Sequence, residues 1–151
     1  MIIEDKLMNY VLYKMRTIAE VRRKAQTLKL QDEDIDDAIE YLIEAGYLDD
    51  DNYCKKYVEN VIRLKNASRT EIKNDLLRKG VNEDTIDKYV YTDITLDFEE
   101  ESAKILAKKK FKLGTELLKV KKYLLSKGYA YDSVSKAIDN LVDLNDNNIV
   151  E

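Results

Sequence analysis

The sequence repeats itself. Displacing it by 51 residues lays Thr17 on Ser68, Glu20 on Glu71, Val21 on Ile72, Ala25 on Leu76, Leu30 on Val81, Ile35 on Ile86 and Ile39 on Val90. A further displacement of 48 carries Ile72 to Val120, Leu76 to Leu124, Gly80 to Gly128, Val81 to Tyr129, Ile86 to Val134 and Val90 to Ile138. Apolar positions kept at near-constant spacing through three copies mark a helical repeat array, because each unit alone leaves an apolar edge that a neighbour must cover. The chain is therefore expected to be all-α: an elongated, curved array of three tandem three-helix repeats. These span residues 1–48, 49–93 and 94–143, and residues 144–151, rich in Asn and Asp, form a frayed tail.

Turn chemistry agrees with helix. Proline is absent and glycine occurs four times, at Gly46, Gly80, Gly114 and Gly128, which is too little punctuation for a sheet protein. Ile35, Ala38, Ile39, Leu42 and Ile43 recur at helical spacing until Gly46 stops them. Asp49, Asp50 and Asp51 follow, offering acceptors and negative charge to the N-terminus of a helix through Tyr53, Tyr57, Val58, Val61 and Ile62. Tyr47 and Leu48 are expected to plug the joint between the first two repeats, and the stretch Tyr91 to Leu96 the next joint.

Two capping boxes, Thr17-Ile18-Ala19-Glu20 and Ser68-Arg69-Thr70-Glu71, sit at the same repeat position and open the second helix of their copies. The first helix of the chain is read as Ile3 to Arg16. Asn82 should cap a helix carrying Ile86, Tyr89 and Val90. The third copy starts near Leu96, breaks at Gly114, resumes from Thr115 to Lys127 and restarts after Asp132.

A search for reactive groups returns absences. With no histidine the chain has no Ser-His-Asp or Cys-His arrangement and no His-Glu-x-x-His zinc helix. One cysteine, Cys54, makes neither a disulfide nor a zinc site, and its helical neighbours Tyr57 and Val58 suit a small core residue better than a nucleophile. No glycine pattern for holding a nucleotide phosphate is present. The run Asp32 to Asp37 resembles the start of a calcium loop, but Asp37 stands where glycine must turn the chain and Ile43 where a bidentate Glu belongs. It is better read as the start and solvated face of a helix. No catalytic residue, cofactor or metal is expected, and the chain is read as a non-enzyme. No segment approaches the roughly 20 apolar residues of a membrane span, the N-terminus lacks signal-peptide order and the lone cysteine fits a reducing cytosol, so a cytoplasmic protein is expected; the absence of a long heptad seam favours a monomer.

Charge is sorted along the chain. The net value of −4 conceals an acidic stretch, 32–51, holding ten Asp and Glu and no cation, and a basic stretch, 104–127, holding nine lysines and Glu116. These are either solvated helix faces or surfaces that meet a polyanion or an acidic protein at one end and repel it at the other. The repeat sorts the cations further. Arg22, Lys73 and Lys121 share one repeat position, and Lys79 and Lys127 share another. One positive charge per unit along the second helices could follow a phosphate backbone or the subunits of a filament.

The stretch Gly46-Tyr47-Leu48-Asp49-Asp50, then Tyr53, Tyr57-Val58, Arg63, Ser68 to Glu71 and Leu76-Leu77-Arg78-Lys79-Gly80 resembles the signature of the RecX family of recombination regulators. Arg16-Thr17, Glu20-Val21-Arg22 and Arg23-Lys24 are similar to the family's opening helices, and Leu124 to Tyr129 to its closing ones. The resemblance covers the whole chain. Lys29 departs from it, standing where the other copies carry Gly80 and Gly128. The resemblance implies a protein that binds the RecA recombinase in its nucleoprotein filament, inhibits ATP hydrolysis, filament growth and strand exchange, and so acts on homologous recombination, DNA repair and the SOS response. Weak direct contact with single- or double-stranded DNA accompanies that reading, with Arg22, Lys73, Lys79, Lys121 and Lys127 as the candidate filament or DNA contacts. Two rival readings are a helical-repeat interaction scaffold and a helix-turn-helix DNA binder. The second is disfavoured by third helices, 34–44 and 83–91, whose exposed faces are acidic or nearly uncharged.

Overall fold

The computed structural model describes residues 2–112 and 116–150, with 145–150 by backbone alone. Among them the chain is helical throughout, with no strand: α1 (Asp5–Tyr13), α2 (Ile18–Thr27), α3 (Asp32–Glu44), α4 (Asp50–Leu64), α5 (Arg69–Arg78), α6 (Glu83–Asp93), α7 (Leu96–Lys112), α8 (Leu117–Ser126) and α9 (Tyr131–Val150). The break expected at Gly114 lies outside the described residues. Helix α9 continues through 144–150, the stretch expected to fray.

Both capping boxes form. The Thr17 hydroxyl accepts from the Glu20 N–H at 3.1 Å while the Glu20 carboxylate accepts from the Thr17 N–H at 3.0 Å. Ser68 and Glu71 repeat this at 3.1 and 3.2 Å. Helix α1 is shorter than its apolar pattern suggests because it is closed at both ends by side chains. Glu4 accepts from the Leu7 N–H at 3.0 Å, and Arg16 Nε donates to the Tyr10 carbonyl at 3.0 Å. Helix α3 begins after Gln31, which makes no side-chain cap, so Asp32, Glu33 and Asp34 act on its first turn through charge rather than by capping.

The three second helices end alike. The N–H groups of Gly80 and Val81 return to the carbonyls of Leu77 and Leu76 at 2.9 and 3.1 Å, and those of Gly128 and Tyr129 to Leu125 and Leu124 at 3.0 and 3.3 Å. Lys29 and Leu30 make the same pair of bonds to Gln26 and Ala25, with Lys29 at φ 61°. The Schellman stop is therefore present in the first copy without its glycine.

The chain forms two compact units, residues 1–57 with 75–88 and residues 58–74 with 89–151, so α4, α5 and α6 contribute residues to each. The first is built on Leu7, Val11, Val21, Ala25, Ile35, Ala38, Ile39, Leu42 and Leu48. The second is built on Ala103, Ala107, Val120, Leu124, Tyr129, Val134, Ala137 and Leu141. The expected plug is half right in composition. Leu48 is buried in the first core, whereas Tyr47 is 47% exposed, because the chain turning back after Gly46 can aim one of the two inward. At the later joint Ile94 is buried while Tyr91 and Leu96 face solvent.

Candidate functional site

Two equivalent joints position the cations picked out by the repeat. In the first unit the Thr17 hydroxyl, besides capping its own helix, donates to the Lys79 carbonyl at 2.6 Å. In the second, the Ser68 hydroxyl donates to the Lys127 carbonyl at 2.6 Å. Each hydroxyl thus satisfies a helix-end carbonyl that would otherwise lack a partner. A Cβ on Gly80 would lie 2.2 Å from the Ala19 Cβ, and one on Gly128 2.7 Å from the Thr70 Cβ, so both glycines are required by contact as well as by φ. The first joint adds Asp50, whose carboxylate accepts from the Ile18 N–H at 2.9 Å. Burial raises the Asp50 pKa, opposed by that bond and reinforced by Asp49 and Glu20.

The five candidate cations divide. Arg22 pairs with Asp36 at 2.9 Å. Lys127 Nζ lies 3.5 Å from the capping-box carboxylate of Glu71 and 5.7 Å from the Tyr123 ring centre. Lys79 is half-buried, and its carbonyl, like that of Lys127, accepts from a Thr or Ser hydroxyl. Lys73 Nζ sits 5.7 Å from the Tyr91 ring and Lys121 Nζ 5.2 Å from the Tyr131 ring, on platforms that are 50% and 62% exposed. Lys73, Lys121 and Lys127 belong to the second unit, as do α7 and α8. Arg22 and Lys79 belong to the first.

Sequence reading missed the tyrosines as partners of cations. Tyr10 carries Arg16 at 3.7 Å and Lys24 at 5.6 Å, Tyr91 carries Arg69 at 6.0 Å beside Lys73, and Tyr123 carries Lys110 at 4.6 Å beside Lys127. Such stacking holds a guanidinium or ammonium in place and still leaves it open to an anion. Lys108, Lys109, Lys112, Lys119 and Lys122 on α7 and α8 are exposed. Burial raises the Tyr53 pKa to about 12, with Glu20 adding to it, and burial likewise raises those of Tyr57, beside Asp75, and Tyr129, beside Glu71. These are structural phenols held neutral. Among the described residues no group of His, Cys, Asp and Glu is placed to hold a metal ion, and no helix is long and apolar enough to cross a membrane.

An all-helical chain with capping boxes at equivalent joints and tyrosines under several of its cations has the architecture of a helical-repeat protein. The comparisons narrow this. The RecX second three-helix domain matches residues 49–89. Proteins named Regulatory protein RecX from Finegoldia magna and Clostridium perfringens are 33% and 34% identical over 144 and 138 residues. Those alignments cover 91% and 85% of this chain and 70% and 63% of the relatives' lengths. The crystal structure of RecX from Lactobacillus salivarius matches with a TM-score of 0.79 at 27% identity, over 93% of this chain and 94% of that one. A second crystal structure of a regulatory protein RecX gives 0.81 at 26% identity, over 89% and 70%. The chain belongs to the RecX family of regulatory proteins.

Proposed function

We propose that this chain regulates the RecA recombinase by binding its filament on DNA and lowering ATP hydrolysis, filament growth and strand exchange. It acts as a cytoplasmic monomer without cofactor or catalytic chemistry of its own. Family membership supports the partner, and the lysines of α5, α7 and α8 in the second unit support the mode. There, exposed Lys108, Lys109, Lys112, Lys119 and Lys122 accompany Lys73 and Lys121 on tyrosine platforms, a surface suited to acidic protein or phosphate. Direct contact with DNA is then weak and falls as salt rises, while affinity for the assembled filament is higher. Arg22 and Lys127 bring to the surface cations already paired with Asp36 and Glu71.

The test is RecA ATP hydrolysis on single-stranded DNA titrated with this protein. A fall at substoichiometric ratios is expected, and the Lys73→Glu, Lys121→Glu double variant should be weakened while keeping its melting temperature. An unchanged rate together with no binding to assembled filament would overturn the reading.

A further inference from the structure

The second joint contains a groove that the first joint fills. Helices α4 and α7 align with Asp50 on Glu99, Tyr53 on Ser102, Cys54 on Ala103 and Val58 on Ala107, the last two pairs being fully buried. The geometry keeps this register. Asp50 bonds the N–H of Ile18, and Glu99 lies 3.9 Å from Nε of Arg69, the counterpart of Ile18. In the first unit the half-buried Tyr53 ring occupies the joint, near Tyr10 and Arg16. In the second unit each counterpart is smaller: Ser102 for Tyr53, Val61 for Tyr10 and Ala67 for Arg16.

A groove of about 320 Å³ results, with Ser102 at its base. The buried Tyr129 hydroxyl lies near Ser102. Helix α7 starts earlier, relative to Glu99, than α4 does relative to Asp50, and its added turn brings Phe98 to the groove. Ile62, Leu64 and Ile105 complete the apolar wall, Ile62 and Leu64 being 39% and 69% exposed. Arg63 and Lys65 stand on the α4 rim, opposed by Glu101 on α7.

We propose that this groove docks an aromatic side chain of a partner protein, flanked by carboxylates that meet Arg63 and Lys65. The repeat itself argues for the occupant: the same fold places a tyrosine ring there in the first joint, and an aromatic anchor entering a pocket is the side chain that contributes most at protein interfaces. Charge complementarity along the α4 rim selects an acidic flank.

The probe is the peptide acetyl-Asp-Asp-Phe-Asp-amide, titrated into the full chain and followed by methyl NMR. Saturable shifts at Ile62, Leu64 and Ile105, in the millimolar range, with Ile35 and Leu42 unmoved, are expected. Replacing the peptide's phenylalanine by alanine should abolish them, and replacing its aspartates by lysines should weaken them. Ser102→Tyr, which copies the filled first joint, should reduce affinity at least about tenfold. Arg63→Glu with Lys65→Glu, both on exposed side chains, should do the same and keeps the test open if Ser102→Tyr does not fold. Absence of shifts with the peptide, equal binding of the alanine peptide, or unchanged affinity in a folded variant would overturn the proposal.

Discussion

Lys29 shows what one residue can absorb and what it cannot. At φ 61° it adopts the left-handed conformation that Gly80 and Gly128 take at 85° and 88°, and it makes the same two carbonyl bonds. What it lacks is the close approach: Gly80 sits on Ala19 and Gly128 on Thr70, so both of those positions exclude a Cβ outright. The departure from the repeat is thus explained by packing rather than by the turn. Lys29→Gly relieves backbone strain but frees the unfolded chain, for a net gain of up to about 1 kcal/mol. Gly80→Ala meets both strain and collision and should cost at least about 2 kcal/mol. Urea unfolding of the two variants checks the pair, and equal and small effects would show that the contact with Ala19 does not matter. The glycine stops were legible in sequence because φ > 0 has few tenants. Their seating on a residue some 60 positions away was not, since nothing in local pattern names a distant neighbour.

At the scale of elements, helix ends carry the organisation. The capping boxes were legible because their partners are three residues apart, and so was the 51- and 48-residue repeat, because burial imposes the same apolar positions on each copy. The second duty of Thr17 and Ser68, donating to Lys79 and Lys127 carbonyls, spans 62 and 59 residues and leaves no local trace. Asp50 is a similar case: the sequence places it at the start of its own helix, while its carboxylate bonds the first N–H of α2. Tyr47 misled because an apolar character alone does not say which of two adjacent residues turns inward, and Leu48 does. Because each hydroxyl both accepts and donates, Thr17→Val and Ser68→Ala lose a cap and orphan a buried carbonyl together. Each should destabilise by about 2–3 kcal/mol, more than the roughly 1 kcal/mol of a cap alone. Thermal or urea unfolding reads this directly, and a loss no larger than that of an ordinary cap would mean the carbonyl finds water.

Over the whole molecule, the segregation of charge was legible in the sequence and its engagement was not. The acidic stretch 32–51 and the basic stretch 104–127 are read directly from residue order. Which lysines are held required the structure, because a tyrosine platform such as Tyr91 under Lys73 joins residues on different helices, 18 apart in the chain. The division gives exposed and paired cations different fates on charge reversal. Lys119→Glu with Lys122→Glu, on exposed α8 side chains, should weaken filament binding, most at low salt, and leave stability within about 0.5 kcal/mol of the parent. Lys127→Glu instead sets a carboxylate against Glu71 at a helix-capping joint, so it should lower stability first, with binding lost in proportion to folded fraction. Arg22→Glu sets two acids together with Asp36 on exposed side chains, so its cost in stability should be small. Measuring filament affinity at two ionic strengths beside urea unfolding separates the classes. If the Lys119 and Lys122 reversals bind as the parent does at both salts, the basic stretch is a solvated helix face, and recognition rests on other surfaces of the two units.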